Sequence, residues 1–452
     1  TATAEVNIAV VDGDGPAGVG DDVSTILDLD ASDLAAQEGD AITTWTDGSS
    51  YGNNASSGSA TYRGAVAGMN SRPALEFNGG SSFTIPDNAQ FNNGGEPYVQ
   101  RSLAVAFQTG SALPGATPEG IYAEGGGTRG ISVYLRNDDL YVGMWNEADS
   151  NDDDETTPWG PHFFSAETNT SDGGTGTVSI DTETTYVVTF TYNYAENVIE
   201  AYVNGTLIGT ETGPSDGTGI GVGRFFDHNQ VAIGGEGEGG FDYDGDNEGA
   251  YSTFTGEIGE VVAYGVSLTD AQRQILESSL GAKYGVSNSG GTDNGLANSR
   301  FDFSGTEEFD SGVEAVGVGN LADNPAPHNP DVASSIVQLT NNGALANGTF
   351  TMLGHNGQDE QFVQDNEIPA APDTDANNSD DDSVLERLDR VWRLDLNSGT
   401  VDFDLTVDVS GLSLSTDQEF VLVVDDNPTI DDGTGGGATV LRPSSGEGTN
   451  TL

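Results

Sequence analysis

The chain has 452 residues, with 73 acidic against 13 basic side chains and a formal net charge of −60. Charge of that density opposes compaction unless salt screens it, and at molar salt the Debye length falls to about 3 Å. The composition therefore points to a protein of brine, with an acidic secreted protein loaded with calcium as the other reading. Cysteine is absent, which excludes disulfides and thiolate chemistry. No run of about 18 apolar residues could span a membrane as a helix, and an acidic surface is a poor partner for phosphate, which excludes nucleic acid. The histidines, His162, His228, His328 and His355, have no zinc-type spacing. The chain opens on Thr1 with no basic-plus-apolar leader, as expected of a processed mature form.

In chain order, residues 1–22 form an arm. Ala4–Val11 alternates as a strand would, before a Gly- and Asp-rich break. It is either the first strand of the domain that follows or an exposed strand that pairs with a neighbouring subunit. Residues 23–286 are expected to be one large β domain, with strands at Ala74–Phe77, Ser102–Gln108, Ile131–Leu135, Leu140–Trp145, Tyr186–Tyr194, Val198–Val203 and Glu257–Tyr264. Asn204-Gly205 marks a tight hairpin turn, because both residues tolerate positive φ. A helix is expected at Asp270–Lys283. Thr269 and Gln272 match a capping box, Ala271, Ile275, Leu276 and Leu280 share one arc, and Lys283, the chain's one lysine, sits where the helix dipole favours a cation. Residues 287–294 read as a linker. Residues 295–452 read as a second β-sandwich domain, with strands at Val313–Val318, Ser335–Leu339, Thr349–Leu353, Val391–Leu396, Val401–Val409 and Phe420–Val424.

Several of these pieces carry a resemblance. Trp45-Thr46-Asp47-Gly48-Ser49, Tyr51-Gly52-Asn53-Asn54-Ala55, Pro73–Gly79, Val203-Asn204-Gly205, Gly256–Val261 and the helix ending in Lys283-Tyr284-Gly285-Val286 occur in order over some 260 residues. Together they resemble laminin-G-like, concanavalin A-like lectin and glucanase domains. The resemblance implies an all-β chain with a jelly-roll sandwich. Val316–Gly319, Met352–Gly357 and Arg390–Arg393 resemble an uncharacterised β-rich module of bacterial surface proteins, which implies an extracellular, non-catalytic role.

Three kinds of chemistry are candidates. Asp242, Asp244, Asp246 and Glu248 alternate around Gly245, and Asp425 and Asp431 lie in a second acidic loop. A Ca2+ ion takes six to eight oxygens, and short Asp-rich loops supply them; the bland reading is a solvated acidic surface. Tyr141, Trp145, Trp159 and His162 flank an acidic loop at 146–158 and offer rings for stacking on a sugar, or else pack that loop down. Glycoside hydrolysis needs two carboxylates about 5–5.5 Å apart for retention. The nearest string, Glu147–Asp152, lacks the final glutamate, and Glu257 and Glu260, three apart on a strand, are expected on opposite faces. Five Asn-x-Ser/Thr sequons, at Asn54, Asn169, Asn204, Asn347 and Asn377, are a weak signal in so Asn-rich a chain.

The leading expectation is a non-enzymatic extracellular or cell-surface protein of a high-salt setting. It would be structural or adhesive, with self-association into a filament or layer by strand addition, or surface partners; a virion surface protein is a variant. The alternative is a calcium-dependent carbohydrate-binding protein with glycans as ligands.

Overall fold

The computed structural model describes residues 16–20, 24–80, 82–92, 99–126, 129–146, 159–167, 178–196, 198–212, 230–235 and 252–286, and ten short segments between 314 and 441. The chain divides into two compact units, Asp12–Ser299 and Arg300–Leu452, the second together with Thr1–Val11. No helix among the described residues is long and apolar enough to cross a membrane. The strand expected at Ala4–Val11 lies outside the described residues.

In the first unit the strands are β1 (Thr25–Asp30), β2 (Ala41–Ile42), β3 (Ala60–Val66), β4 (Arg72–Asn78), β5 (Phe83–Pro86), β6 (Gln100–Thr109), β7 (Glu119–Gly126), β8 (Arg129–Arg136), β9 (Asp139–Asn146), β10 (Trp159–Ser165), β11 (Thr185–Asn193), β12 (Val198–Val203), β13 (Thr206–Thr212), β14 (Gln230–Ile233), β15 (Ser252–Thr253) and β16 (Thr255–Tyr264). Two helices join them, the single turn α1 (Ala89–Asn92) and α2 (Asp270–Tyr284). A nine-stranded sheet runs β13-β12-β11-β6-β16-β4-β3-β2, and β1 continues the edge of β16 beyond β4. A seven-stranded sheet runs β10-β9-β8-β7-β14-β5, with β15 on β7. The architecture is all-β, two mainly antiparallel sheets stacked as a sandwich.

Period-two alternation builds the core between the sheets. Leu103, Val105 and Phe107 on β6, Val188 and Phe190 on β11, Ile131 and Val133 on β8, and Val142 and Met144 on β9 belong to one buried cluster. One ion pair interrupts it. Arg101 at the head of β6 meets Glu124 of β7 at 2.9 Å, both side chains 1% exposed, and Tyr122 Oη donates to Glu124 at 2.8 Å.

Local chemistry sets the turns. Asn204 (φ 48°) and Gly205 (φ 67°) form the expected β12–β13 turn, and Asn204 Oδ1 accepts the Val187 N–H at 2.8 Å. That buried carboxamide is a structural part, unlike an exposed glycan acceptor. Asn137 (φ 52°) and Asp138 (φ 61°) make the equivalent turn between β8 and β9. The adjoining Asp139 accepts the N–H groups of Leu140 (2.7 Å) and Glu167 (3.0 Å) and the hydroxyl of Ser165, tying down the end of β10.

Helix α2 starts and stops where its sequence dictates. Thr269 Oγ1 accepts the Gln272 N–H, Gln272 Oε1 accepts the Thr269 N–H, and Gly285 (φ 64°) ends the helix in the left-handed region. The helix packs against β11 and the turns Pro16–Gly18 and Ala67–Met69, over the outer face of the nine-stranded sheet.

The second unit contains β17 (Glu314–Gly319), β18 (Asp331–Ser334), β19 (Val337–Asn341), β20 (Phe350–His355), β21 (Phe362–Gln364), β22 (Glu386–Leu388), β23 (Trp392–Leu396), β24 (Phe403–Val407), β25 (Leu422–Val424) and β26 (Thr439–Leu441). Two three-stranded sheets, β17-β20-β23 and β18-β19-β24, share a core of Val337, Leu339 and Leu353 with Trp392, Phe403 and Leu405 packed on it.

Candidate functional site

The outer face of the seven-stranded sheet carries an aromatic group. Its positions are the ones that alternate with the core residues of β8, β9 and β10. Tyr134 and Tyr141 are cross-strand partners whose rings stack, with centroids 5.1 Å apart and planes at 6°. Phe163 of β10 meets Tyr134 edge-on at 5.5 Å and 73°. Tyr134 and Phe163 are buried, and Tyr141 is half-buried. The neighbouring cross-strand row, Ala123–Ser132–Gly143–Phe163, is buried throughout, with small residues on β7 to β9 and a ring on β10.

Of the sequence-predicted glycan residues, the structure places Tyr141 in this group. Trp145 pairs with Gly130 and lies in the same strand phase as Tyr141 and Gly143. His162 pairs with Met144, in the opposite phase, and Trp159 pairs with Asn146 beyond a register shift. The four residues thus fall on two adjacent strands but do not share one phase. The carboxylates named for calcium, Asp242, Asp244, Asp246, Glu248, Asp425 and Asp431, lie outside the described residues, as does the Glu147–Asp152 string. Among the described residues no group of three His, Asp or Glu converges as metal ligands.

The Glu257–Glu260 expectation is corrected. A β-bulge between Ile258 and Glu260 breaks the two-residue period of β16. Ile258 and Val261 both point into the core, so Glu257 and Glu260 both lie on the outer face. The bulge residue is glycine for a reason: a Cβ on Gly259 would stand 2.5 Å from Tyr284 Cε1. Sharing a face does not make these two a hydrolytic pair. Glu260 is 2% exposed beneath α2, held by Lys283 Nζ at 2.7 Å and Tyr284 Oη at 3.1 Å. Glu257 is raised by burial and by the neighbouring charge of Glu76.

Lys283 itself does more than answer a helix dipole. Its ammonium is buried, 2.5 Å from Asp30 Oδ2 of β1 as well as 2.7 Å from Glu260. Burial alone would lower its proton affinity, but the two carboxylates outweigh that and hold it above the ordinary lysine range. Burial raises the Glu260 carboxyl to about 7; Lys283 pulls it down and Asp30 pushes it up. Asp28, on the same face, is also raised, first by burial and then by Glu260 and Asp30. A second buried pair lies about two and three turns toward the start of the helix. Arg273 meets Glu277 at 2.7 Å and Asp270 at 3.2 Å, lies 3.7 Å over the Tyr202 ring, and Thr189 donates to Glu277. Nothing in local sequence announces Lys283's partners, since Asp30 is 253 positions away.

The Trp45–Ala55 stretch owes its character to Asp47. Its carboxylate accepts the N–H groups of Asp28 (2.8 Å), Ser49 (3.0 Å) and Asn53 (2.6 Å) and the Ser49 hydroxyl (2.7 Å). Four donors saturate it, so Asp47 organises a loop.

Comparison with known proteins gives the following. Residues 327–450 match the model of a domain of unknown function (DUF8202). No curated protein matches the chain. Among solved structures, a Trypanosoma rangeli sialidase is 18% identical over 56% of this chain, with a TM-score of 0.32; the chain spans 32% of its length. The sialyllactose-bound CBM40 of the Ruminococcus gnavus IT-sialidase is 15% identical, over 44% of this chain and 91% of its own, with a TM-score of 0.29. Domain 4 of AbnA, a GH43 extracellular arabinanase from Geobacillus stearothermophilus, is 17% identical, over 56% and 97%, with a TM-score of 0.30.

Proposed function

We propose that the chain is a non-enzymatic, extracellular or surface-attached protein whose first unit binds carbohydrate on the outer face of β8–β10. One observation carries this reading: the half-buried Tyr141 ring is fixed flat against buried Tyr134, at the edge of a buried aromatic cluster that includes Phe163. A half-buried ring held in place by its neighbours needs no further ordering on binding, which suits stacking on the apolar face of a sugar. Trp145, in the same strand phase, is the second candidate platform. The acidic loops at 242–248 and 425–431 supply oxygen-rich sequence for Ca2+ beside such a function.

The test is a glycan array with the full chain in high salt, run in calcium and again in chelator, with Tyr141→Ala and Trp145→Ala alongside. The expected result is a defined set of sugars whose binding falls at least tenfold in Tyr141→Ala. An array without any sugar signal, or binding that both variants leave unchanged, sinks the reading. Binding that survives chelation removes calcium from it and leaves the aromatic platform standing.

A further inference from the structure

The group under the C-terminal turn of α2 is a nucleophile, an electrophile and a proton carrier in one dry place. Lys283 Nζ lies 2.5 Å from Asp30 Oδ2 and 2.7 Å from Glu260 Oε2. The lysine and glutamate side chains are 9% and 2% exposed, and the aspartate 15%. Asp30 and Glu260 are direct cross-strand partners on β1 and β16, so their carboxyls stand side by side on one face. Tyr284 Oη donates to the same Glu260 oxygen that faces Lys283 and fixes its rotamer.

We propose that Lys283 and Asp30 condense into an intramolecular amide, with Glu260 carrying the proton. In water an amine and a carboxyl are ions and do not react. A buried site removes the hydration that keeps them charged and holds the atoms at reacting distance. The balance closes without any co-reactant. One proton leaves the Lys283 ammonium, passes through Glu260 and reaches Asp30, giving a free amine, a carboxylic acid and the Glu260 carboxylate. The Nζ lone pair then forms the bond to Asp30 Cγ. Glu260 takes a second proton from Nζ and delivers it to the departing Asp30 hydroxyl, the C–O bond breaks, and water leaves. Lys283 becomes an amide nitrogen, and Glu260 ends ionised, as it began.

Two further observations fit. Glu260 is raised to about 7 by burial, so its carboxyl gains and loses a proton near neutrality, as a carrier must. The same two carboxylates stabilise the ammonium, which opposes the first transfer; both bases are also within hydrogen-bond reach of it, so the proton moves inside the group and no net charge is created there. Arginine suffices for the chain's other cations, yet this position holds its one lysine. A guanidinium makes ion pairs as well or better. It is not the nucleophile that amide formation requires.

The experiment is the intact mass of the purified, unmodified chain in denaturant, followed by arginine-specific digestion. The expected mass is one water below that of the sequence. The expected digest joins the peptide ending at Arg63 to Gln274–Arg300 through Asp30 and Lys283. A mass equal to that of the sequence overturns the proposal. So does a water loss carried only by linear peptides, as succinimides at Asp-Gly would give. Lys283→Arg and Glu260→Gln are expected to show the full sequence mass, and Asp30→Asn to lose ammonia in place of water. A joined peptide in Glu260→Gln overturns the role given to Glu260. The wild-type mass is decisive even if a variant fails to fold.

Discussion

The two sheets of the first unit treat their outer faces in opposite ways. The nine-stranded sheet is roofed by α2, and beneath that roof lie the chain's one lysine, Arg273 and the carboxylates of Asp28, Asp30, Glu260 and Glu277. The seven-stranded sheet places aromatic rings, Tyr134, Tyr141 and Phe163, at the same structural positions. Charge is thus buried on the outer face of one sheet, and aromatic rings are packed together on the outer face of the other. A highly acidic chain has abundant carboxylates for its surface, so the ones it buries with cations are selected by geometry. Removing one partner of such a pair is costly, because the other is left charged and dry.

That contrast can be broken from the helix side first. Glu277→Leu removes the main partner of Arg273 and is expected to destabilise the first unit by about 3 kcal/mol, read as a lower urea midpoint at fixed high salt. The next effect is pH-dependent. Glu260 has a folded-state affinity raised from 4.5 to about 7. Its contribution is therefore fully present below about 4.5 and lost as pH rises through about 7. Relative to Glu260→Gln, the stability of the uncondensed wild-type chain should fall across that window by on the order of 3 kcal/mol; a difference that is flat with pH in that form would remove Glu260 from the account. Gly259→Ala, which forces Tyr284 aside, should cost about 1–3 kcal/mol by overpacking. Thr269→Ala, which opens the capping box, should cost about 1 kcal/mol. Tyr141→Ala, on the other sheet, sharpens the contrast from below: loss of one stacked ring should cost about 1 kcal/mol beyond its lost burial, against a tenfold fall in sugar binding that corresponds to about 1.4 kcal/mol.

Much of this was legible in the sequence, for local reasons. Strict alternation announces β6, β8, β9, β11 and β12; Asn204-Gly205 announces its turn; Thr269 and Gln272 announce the start of α2. The elements that escaped depend on distant partners. The strand β1 is six residues with two aspartates on its outer face, and those carboxylates make sense only beside β16 and Lys283. The glycine-rich ends of β7 carry weak strand character, and β10 contains Pro161, so its aromatic residues read as loop chemistry. The bulge at Gly259 is invisible to a period-two argument, which is why Glu257 and Glu260 were expected on opposite faces. The candidate site was legible only as single residues. Tyr141 and Trp145 could be named, while Tyr134, the ring that orients Tyr141, was recognised only once β8 and β9 were paired.

The position of Asp30 and Lys283 has a mechanical consequence. Among the described residues β1 is the first strand of the sandwich and α2 its last element, and both are fastened to β16. A pull applied between β1 and α2 is met at their shared anchor on β16, and the fourteen strands threaded between β1 and β16 in sequence carry little of it. β1 and β16 are antiparallel neighbours, so their hydrogen bonds resist according to the direction of the load, together when sheared along the strands and one after another when peeled. The lysine clasp adds a crosswise tie at the Asp30–Glu260 end of that ladder, where peeling from the Asp30 side would begin. Tension reaching this domain through its two ends would be spent at one corner, leaving the aromatic face of the opposite sheet undistorted.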